Sequence, residues 1–312
     1  MDHIVISGAT GFLGSNLARV FLENGAKVYA LVRPGSKHAD TLPHHENLIT
    51  VPCSLSNILD CVPVIGKADG FFHFAWGGVN REEIDSPAVQ AQNVAGSLDC
   101  VRAAAKLGCR VFMDAGSRVE YGVTELKMDE GLACDPINEY GKAKLEFYQK
   151  AAPLCGQLGL TYYHLRFFSV YGYGDHPWSI ISTLIRDLRK DQTVSLSACR
   201  HLWNFMYIDD AVNAVFQLYR HAKKATDPCT QIVNIASKDT RPLRSFVEEV
   251  KKTVGERGTL EYGTFVQAKE GALSIQPVID RLLALTAGNY TEAFSFADGI
   301  RATIRKEEEC GQ

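Results

Sequence analysis

Residues 3–14 read HIVISGATGFLG. No other stretch restricts the fold as much. The apolar run HIVISG (3–8) meets three glycines spaced three apart, Gly8, Gly11 and Gly14. It then passes into FLGSNLARVFLENG (12–25), whose apolar residues recur at helical spacing until Gly25. A strand, a glycine turn and a helix in that order form the first half of a βαβ unit. The glycines allow a tight turn and close backbone approach, and the helix start offers N–H groups to an anion. A tight turn without a ligand would use the same glycines, but the flanking strand and helix are the setting expected for a dinucleotide pyrophosphate.

The alternation continues. KVYALVR (27–33), LITVPC (48–53), GFFHFAW (70–76) and RVFMDAGS (110–117) read as strands, and LTYYHLRFFSVYG (160–172) holds a sixth. Helices are expected over 89–108 and 139–159. Such alternation gives an α/β fold, a Rossmann-type doubly wound parallel sheet. The second half is less regular: a helix over 179–190, a short strand and helix within 203–222, a strand over 231–237 and a helix over 242–255. No linker or repeat separates the halves. The expected division is interleaved, with residues 1–171 and 203–237 forming the nucleotide-binding unit and 172–202 and 238–312 a smaller C-terminal substrate lobe.

Lys+Arg 33 against Asp+Glu 36 gives a net charge of −3. That near balance argues against a nucleic-acid partner or a membrane surface held by charge. No apolar run approaches the length of a membrane span, and the N-terminus opens on a strand rather than a leader. Nine scattered cysteines without a C-x-x-C pair point to reduced thiols, no zinc site and a cytoplasmic setting.

Position 33 lies 19 residues beyond Gly14, where an NAD site usually carries an acid for the ribose 2′-hydroxyl. It is Arg33, followed by Ser36 and Lys37, with no Asp or Glu between Glu23 and Asp40. An arginine fork suits a 2′-phosphate, so NADP is favoured over NAD. A solvated strand-end charge is the plainer alternative for Arg33.

Ser117 ends the fifth strand, at the sheet edge where open α/β sheets bind ligands. Tyr140 and Lys144 follow within INEYGKAK (137–144), four apart and so on one helical face. A cation beside a phenol should draw its pKa down from near 10 toward the working range. An exposed Tyr–Lys pair on a solvated face is the alternative. His73 reads as a packed core histidine, and Asp209-Asp210 as a helix cap rather than a metal pair.

With GATGFLG, FFHFAWGG, GSRVEYG, YGKAK, LRFFSVYGYG, FMYIDDAVNAV and VNIAS in order, the chain resembles the extended short-chain dehydrogenases/reductases, the NAD(P)-dependent epimerase/dehydratase group that modifies sugar nucleotides. The resemblance implies that Ser117 and Tyr140 are catalytic and that Lys144 partners Tyr140 and holds the nicotinamide ribose. It assigns Gly8, Thr10, Gly11, Phe12, Leu13, Gly14, Arg33, Ser36, Lys37, Ser54, Leu55, Phe74, Ala75, Trp76, Phe167, Phe168 and Val170 to the cofactor. Arg118, Ser169 and Arg200 fall to the substrate.

Three departures matter. Ser117-Arg118-Val119 stands where 4,6-dehydratases carry Thr-Asp-Glu, so the carboxylates for elimination are missing. Ser169 replaces an Asn. Trp203-Asn204-Phe205 replaces R-D-F and removes the arginine that holds the substrate pyrophosphate, a role Arg200 or His201 could take.

The expected activity is an NADP-dependent reductase acting on the C4 keto group of a 4-keto-6-deoxy sugar nucleotide. A 4-epimerase with retained NAD(P) would use the same three residues. A non-catalytic NADP sensor on this fold would need none of them. A homodimer through the two long helices, 89–108 and 139–159, is the expected assembly.

Overall fold

A computed structural model describes residues 1–36, 38–80, 82–265 and 274–311. Lys37 therefore lies outside the described residues. The chain runs β1 (His3–Ser7), α1 (Phe12–Glu23), β2 (Lys27–Val32), β3 (Leu48–Pro52), α2 (Cys61–Ile65), β4 (Gly70–His73), α3 (Pro87–Lys106), β5 (Val111–Ser117), α4 (Glu139–Gln157), β6 (Thr161–Phe167) and β7 (Ser169–Tyr171). It continues through α5 (Ile180–Arg189), β8 (Thr193–Leu196), β9 (Leu202–Tyr207), α6 (Ile208–Ala222), β10 (Thr230–Ile235), β11 (Thr240–Pro242), α7 (Leu243–Thr253), β12 (Thr259–Tyr262), α8 (Asp280–Thr286) and α9 (Phe296–Glu309).

Seven parallel strands form the main sheet in the order β10-β6-β5-β4-β1-β2-β3. The inner strands β1, β2 and β4 are largely apolar because both faces are covered, whereas the edge strand β3 is mostly exposed. Ile4 and Ile6 of β1 turn to one layer and Val5 to the other. Phe72 and Met113 share the first layer, Phe71 and Phe112 the second. Burying each such side chain stabilises the sheet by about 1.5–3 kcal/mol. On the first face, Phe21 of α1 meets Phe216 and Tyr219 of α6 edge-on at 5.4 Å each. On the second, α3 packs beside α4. The strand order reverses between β1 and β4, so the crevice at their carboxyl ends is the place this topology offers a ligand.

The expected strands and helices are present with ends shifted by a few residues, except that the segment 160–172 breaks into two strands. β9 leaves the main sheet: it pairs with β7 and β11, and β8 pairs with β12. Among the described residues no helix is long and apolar enough to cross a membrane, and no group of His, Cys, Asp and Glu is placed to hold a metal ion.

Candidate active site

The glycine turn is shaped by contacts that exclude a side chain. Gly8 has φ +70°, and a Cβ there would lie 2.5 Å from the backbone nitrogen of Ala75. At Gly14 a Cβ would lie 2.2 Å from the Gly8 carbonyl oxygen. The turn is thus pressed against the end of β4, with Gly8 against the Phe74 and Ala75 backbone, while Thr10 and Gly11 complete the turn and Phe12 and Leu13 open α1. Helix α1 begins at Gly11 with no side-chain cap and no acid in its first turn. Its free N–H groups and positive dipole end face the crevice, an arrangement that fits the pyrophosphate of a dinucleotide. Arg33 is exposed just past β2, in a turn closed by the Ser36 N–H donating to the Arg33 carbonyl at 3.0 Å.

Ser117 ends β5 and also caps the short 3-10 turn Arg118–Tyr121. Its Oγ accepts from the Val119 N–H at 3.4 Å, and its own N–H donates to the Glu120 carboxylate at 2.7 Å. The cap keeps the hydroxyl at the sheet edge, close enough to the Tyr140 phenol to lower its pKa. Tyr140 sits in the first turn of α4, where Asn138 caps the helix by accepting the Gly141 N–H at 2.8 Å. Trp76 meets Tyr140 edge-on at 6.2 Å and donates its indole N–H to the buried Gln90 at 2.9 Å.

Lys144, one turn after Tyr140, is only 4% exposed. Its Nζ donates to the Ala115 carbonyl at 2.7 Å and lies 3.5 Å over the Trp76 ring and 5.7 Å from the centre of the Tyr140 ring. The expected tuning of the phenol by this ammonium is not what the geometry gives. Burial pushes Tyr140 up to about 12. The Ser117 hydroxyl and the Arg118 charge pull it back, while Glu120 adds to the rise. Burial also brings Lys144 down to about 8, against the pull of Asp114 and Glu120. Desolvation outweighs the pairwise charges at both residues.

Behind Ser117 lies a buried ionic cluster that the sequence analysis does not single out. His164 Nδ1 is 3.0 Å from both Asp114 oxygens, and its Nε2 is 2.9 and 3.1 Å from the Glu120 oxygens. Arg166 Nε donates to Glu120 at 2.9 Å and its guanidinium covers the Tyr121 ring at 4.5 Å. The Tyr162 hydroxyl donates to Asp114 at 2.8 Å. The signal was present: His164 and Arg166 interrupt a central strand whose other residues are apolar or aromatic, and charges there must be paired.

Other expected residues divide. Ser54 stands at the end of β3 and caps the next turn, and Leu55 and Trp76 pack against the same apolar layer. Phe167 and Phe168 are core side chains, Phe167 edge-on to Phe74 at 5.9 Å and Phe168 against Tyr121. Ser169 and Val170 belong to β7, opposite Phe205 and Met206 of β9. Arg200 is exposed between β8 and β9. His73 is a core residue as expected: Ser7 and Ser97 hydroxyls bracket its ring at 2.7 Å each, and burial holds its pKa down to about 3. Asp209 and Asp210 correct the cap reading. Tyr207 occupies the cap position, Asp209 pairs with Arg19 at 2.6 Å, and Asp210 accepts the Ala293 and Phe294 N–H groups.

Residues 4–236 match the model of the NAD dependent epimerase/dehydratase family. The chain is 26% identical over 253 residues to dTDP-6-deoxy-L-talose 4-dehydrogenase (NAD(+)) of Aggregatibacter actinomycetemcomitans, covering 79% of this chain and 88% of that protein. It is 21% identical to CDP-abequose synthase of Salmonella typhimurium over 98% of each chain. In fold it is similar to UDP-glucose 4-epimerase from Thermotoga maritima, with a TM-score of 0.86 at 19% identity over 99% of this chain and 100% of that one. The glycine turn at the crevice, the Ser117–Tyr140–Lys144 cluster and the match over most of its length agree: this chain belongs to the NAD-dependent epimerase/dehydratase family, the extended short-chain dehydrogenases/reductases.

Proposed function

We propose that the protein is an NADP-dependent reductase of the C4 keto group of a 4-keto-6-deoxy sugar nucleotide. The observation that carries this reading is the half-buried Tyr140, set one helical turn before the buried Lys144 and close to Ser117 at the carboxyl edge of the sheet. When bound, the nicotinamide supplies a hydride to the carbonyl carbon. Ser117 donates a hydrogen bond to the carbonyl oxygen. Tyr140 gives its proton to that oxygen as charge builds there, and the carbonyl becomes an alcohol. Lys144 stabilises the phenolate left behind, from which a proton taken from solvent restores the acid. Positioning of the carbonyl and a placed acid are the protein's contributions.

Gly8, Gly11, Gly14 and the start of α1 would hold the pyrophosphate, and Arg33 the 2′-phosphate. The lobe of 172–202 and 238–312 would hold the nucleotide end of the substrate, and a dimer through α3 and α4 is the assembly this reading assumes. The relative named dTDP-6-deoxy-L-talose 4-dehydrogenase (NAD(+)) supports oxidoreduction at carbon 4 of a 6-deoxy sugar nucleotide. That relative is named for NAD(+), so Arg33 is what favours NADP in this chain. Partial similarity to a UDP-glucose 4-epimerase of Corynebacterium glutamicum keeps a 4-epimerase as the rival reading.

The test is a cofactor balance. Purified protein is incubated with NADPH and with the UDP, dTDP, CDP and GDP 4-keto-6-deoxy sugars in turn. A reductase oxidises one NADPH for each alcohol formed. Interconversion of a UDP-hexose pair with no net NADPH loss would replace this reading with the epimerase.

A further inference from the structure

Arg118 takes no part in the proton transfer described above. It follows Ser117 directly and is half-buried. Its guanidinium carbon lies 5.3 Å over the Trp203 ring, and its charge reaches the Tyr140 phenol. Burial lowers its pKa to about 10.

The other buried or half-buried arginines each have a carboxylate. Arg19 has Asp209 at 2.6 Å, Arg166 has Glu120 at 2.9 Å, Arg189 has Glu307 at 3.1 Å, and Arg241 has Asp239 and Glu249. Arg118 has no ion pair and no side-chain hydrogen bond among the described residues. Its nitrogens are also not among the enclosed polar atoms without partners, so they remain open to the site. On the same wall the Trp203 indole N–H is enclosed with no acceptor, and His201 packs edge-on against that ring at 5.3 Å.

A half-buried guanidinium with no counterion and open nitrogens is free to pair with an arriving oxyanion. The chain supplies no carboxylate for it among the described residues, and its charge is felt at the Tyr140 phenol.

We infer that Arg118, lying over the Trp203 ring, is the subsite for a negatively charged oxygen group of the substrate. This rests on the substrate being a sugar nucleotide. The oxyanions that the proposed substrate brings are those of its diphosphate; a carboxylate on the sugar is the other source of the same chemistry. The guanidinium is a planar fork, so two of its N–H groups can meet two oxygens at once.

The experiment is calorimetric binding to the NADP-loaded protein, wild type against Arg118→Ala and Arg118→Lys. The probes are UDP, dTDP, CDP, UDP-glucose and UDP-glucuronate. If the diphosphate is the partner, Arg118→Ala weakens every probe that the wild type binds by about 10- to 100-fold, the range of a charge-assisted bond. Arg118→Lys, which keeps the charge but loses the fork, falls between. If a sugar carboxylate is the partner, only UDP-glucuronate is weakened, and the wild type binds it at least about ten-fold tighter than UDP-glucose. Equal affinities in wild type and both variants would overturn the assignment, and so would a wild type that binds none of the probes. Because the readout is affinity, its failure is separate from a failure of the proposed turnover, which the NADPH balance reads.

Discussion

Replacing His164 by glutamine should lower stability strongly at pH 6 and hardly at all near pH 10. His164 is fully buried, with Asp114 oxygens on one ring nitrogen and Glu120 oxygens on the other. A neutral imidazole has one N–H, so one nitrogen lone pair would face a carboxylate. Only the imidazolium donates to both. Burial pushes the ring toward neutrality, but the Asp114 and Glu120 charges and hydrogen bonds outweigh it and raise the pKa from 6.5 to about 9. At 1.36 kcal/mol for each pH unit, the rise corresponds to about 3 kcal/mol. The folded pKa exceeds the unfolded one. The contribution is therefore complete below about pH 6.5 and is lost as pH rises through about 9.

That agrees with the ~3–5 kcal/mol expected when one partner leaves a buried ion pair. A 312-residue chain gains roughly 0.65 kcal/mol/K of entropy on unfolding, so the His164→Gln midpoint should fall about 5 °C at pH 6. Thermal unfolding of both proteins from pH 6 to 9.5 reads the difference. A gap that stays constant across that range, or is under about 1 °C at pH 6, would refute the imidazolium and the reasoning built on it.

Tyr140→Phe keeps the ring but removes the proton, so kcat should drop about 10²–10⁴-fold with dinucleotide affinity unchanged by fluorescence titration. Because burial brings Lys144 to about 8, kcat/KM should decline as pH rises through that value and the ammonium loses its charge; Lys144→Met should be slow at every pH and lack that limb in steady-state profiles. Arg33→Asp should reverse the preference between NADPH and NADH, measured as the ratio of dissociation constants, and an unchanged ratio would remove Arg33 from the cofactor's ribose.

Strands β1, β2 and β4 were legible because both faces of the sheet are buried there, which writes continuous apolar runs such as HIVIS and GFFH into the chain. Ser117, Tyr140 and Lys144 were legible because their spacing and setting are local. What was missed is non-local. β11 has three residues and β8 and β12 four each, and all exist through pairing with distant partners. The amphipathic helix α9 carries so many charges that its buried Phe296 and Ile300 give a weak signal. The ionic cluster joins residues 44 and 50 positions apart, beyond any periodicity. The Tyr140 shift was misjudged because spacing reveals a nearby cation but not how thoroughly the pair is withdrawn from water.

The placing of Trp76 has an optical consequence. The chain has three tryptophans. Trp178 is 61% exposed and stacks on His176 at 4.6 Å, whereas Trp76 is held by Gln90 against Lys144 and Tyr140. Light absorbed by the Trp76 indole is therefore emitted beside the residues expected to meet the nicotinamide, whose reduced form absorbs in the indole emission band. Intrinsic fluorescence becomes a reporter that needs no label and no turnover. In a Trp178→Phe, Trp203→Phe background, which leaves Trp76 alone, progressive loss of emission on adding NADPH, with a weaker response to NADP⁺, would follow the cofactor's arrival and distinguish its two redox states.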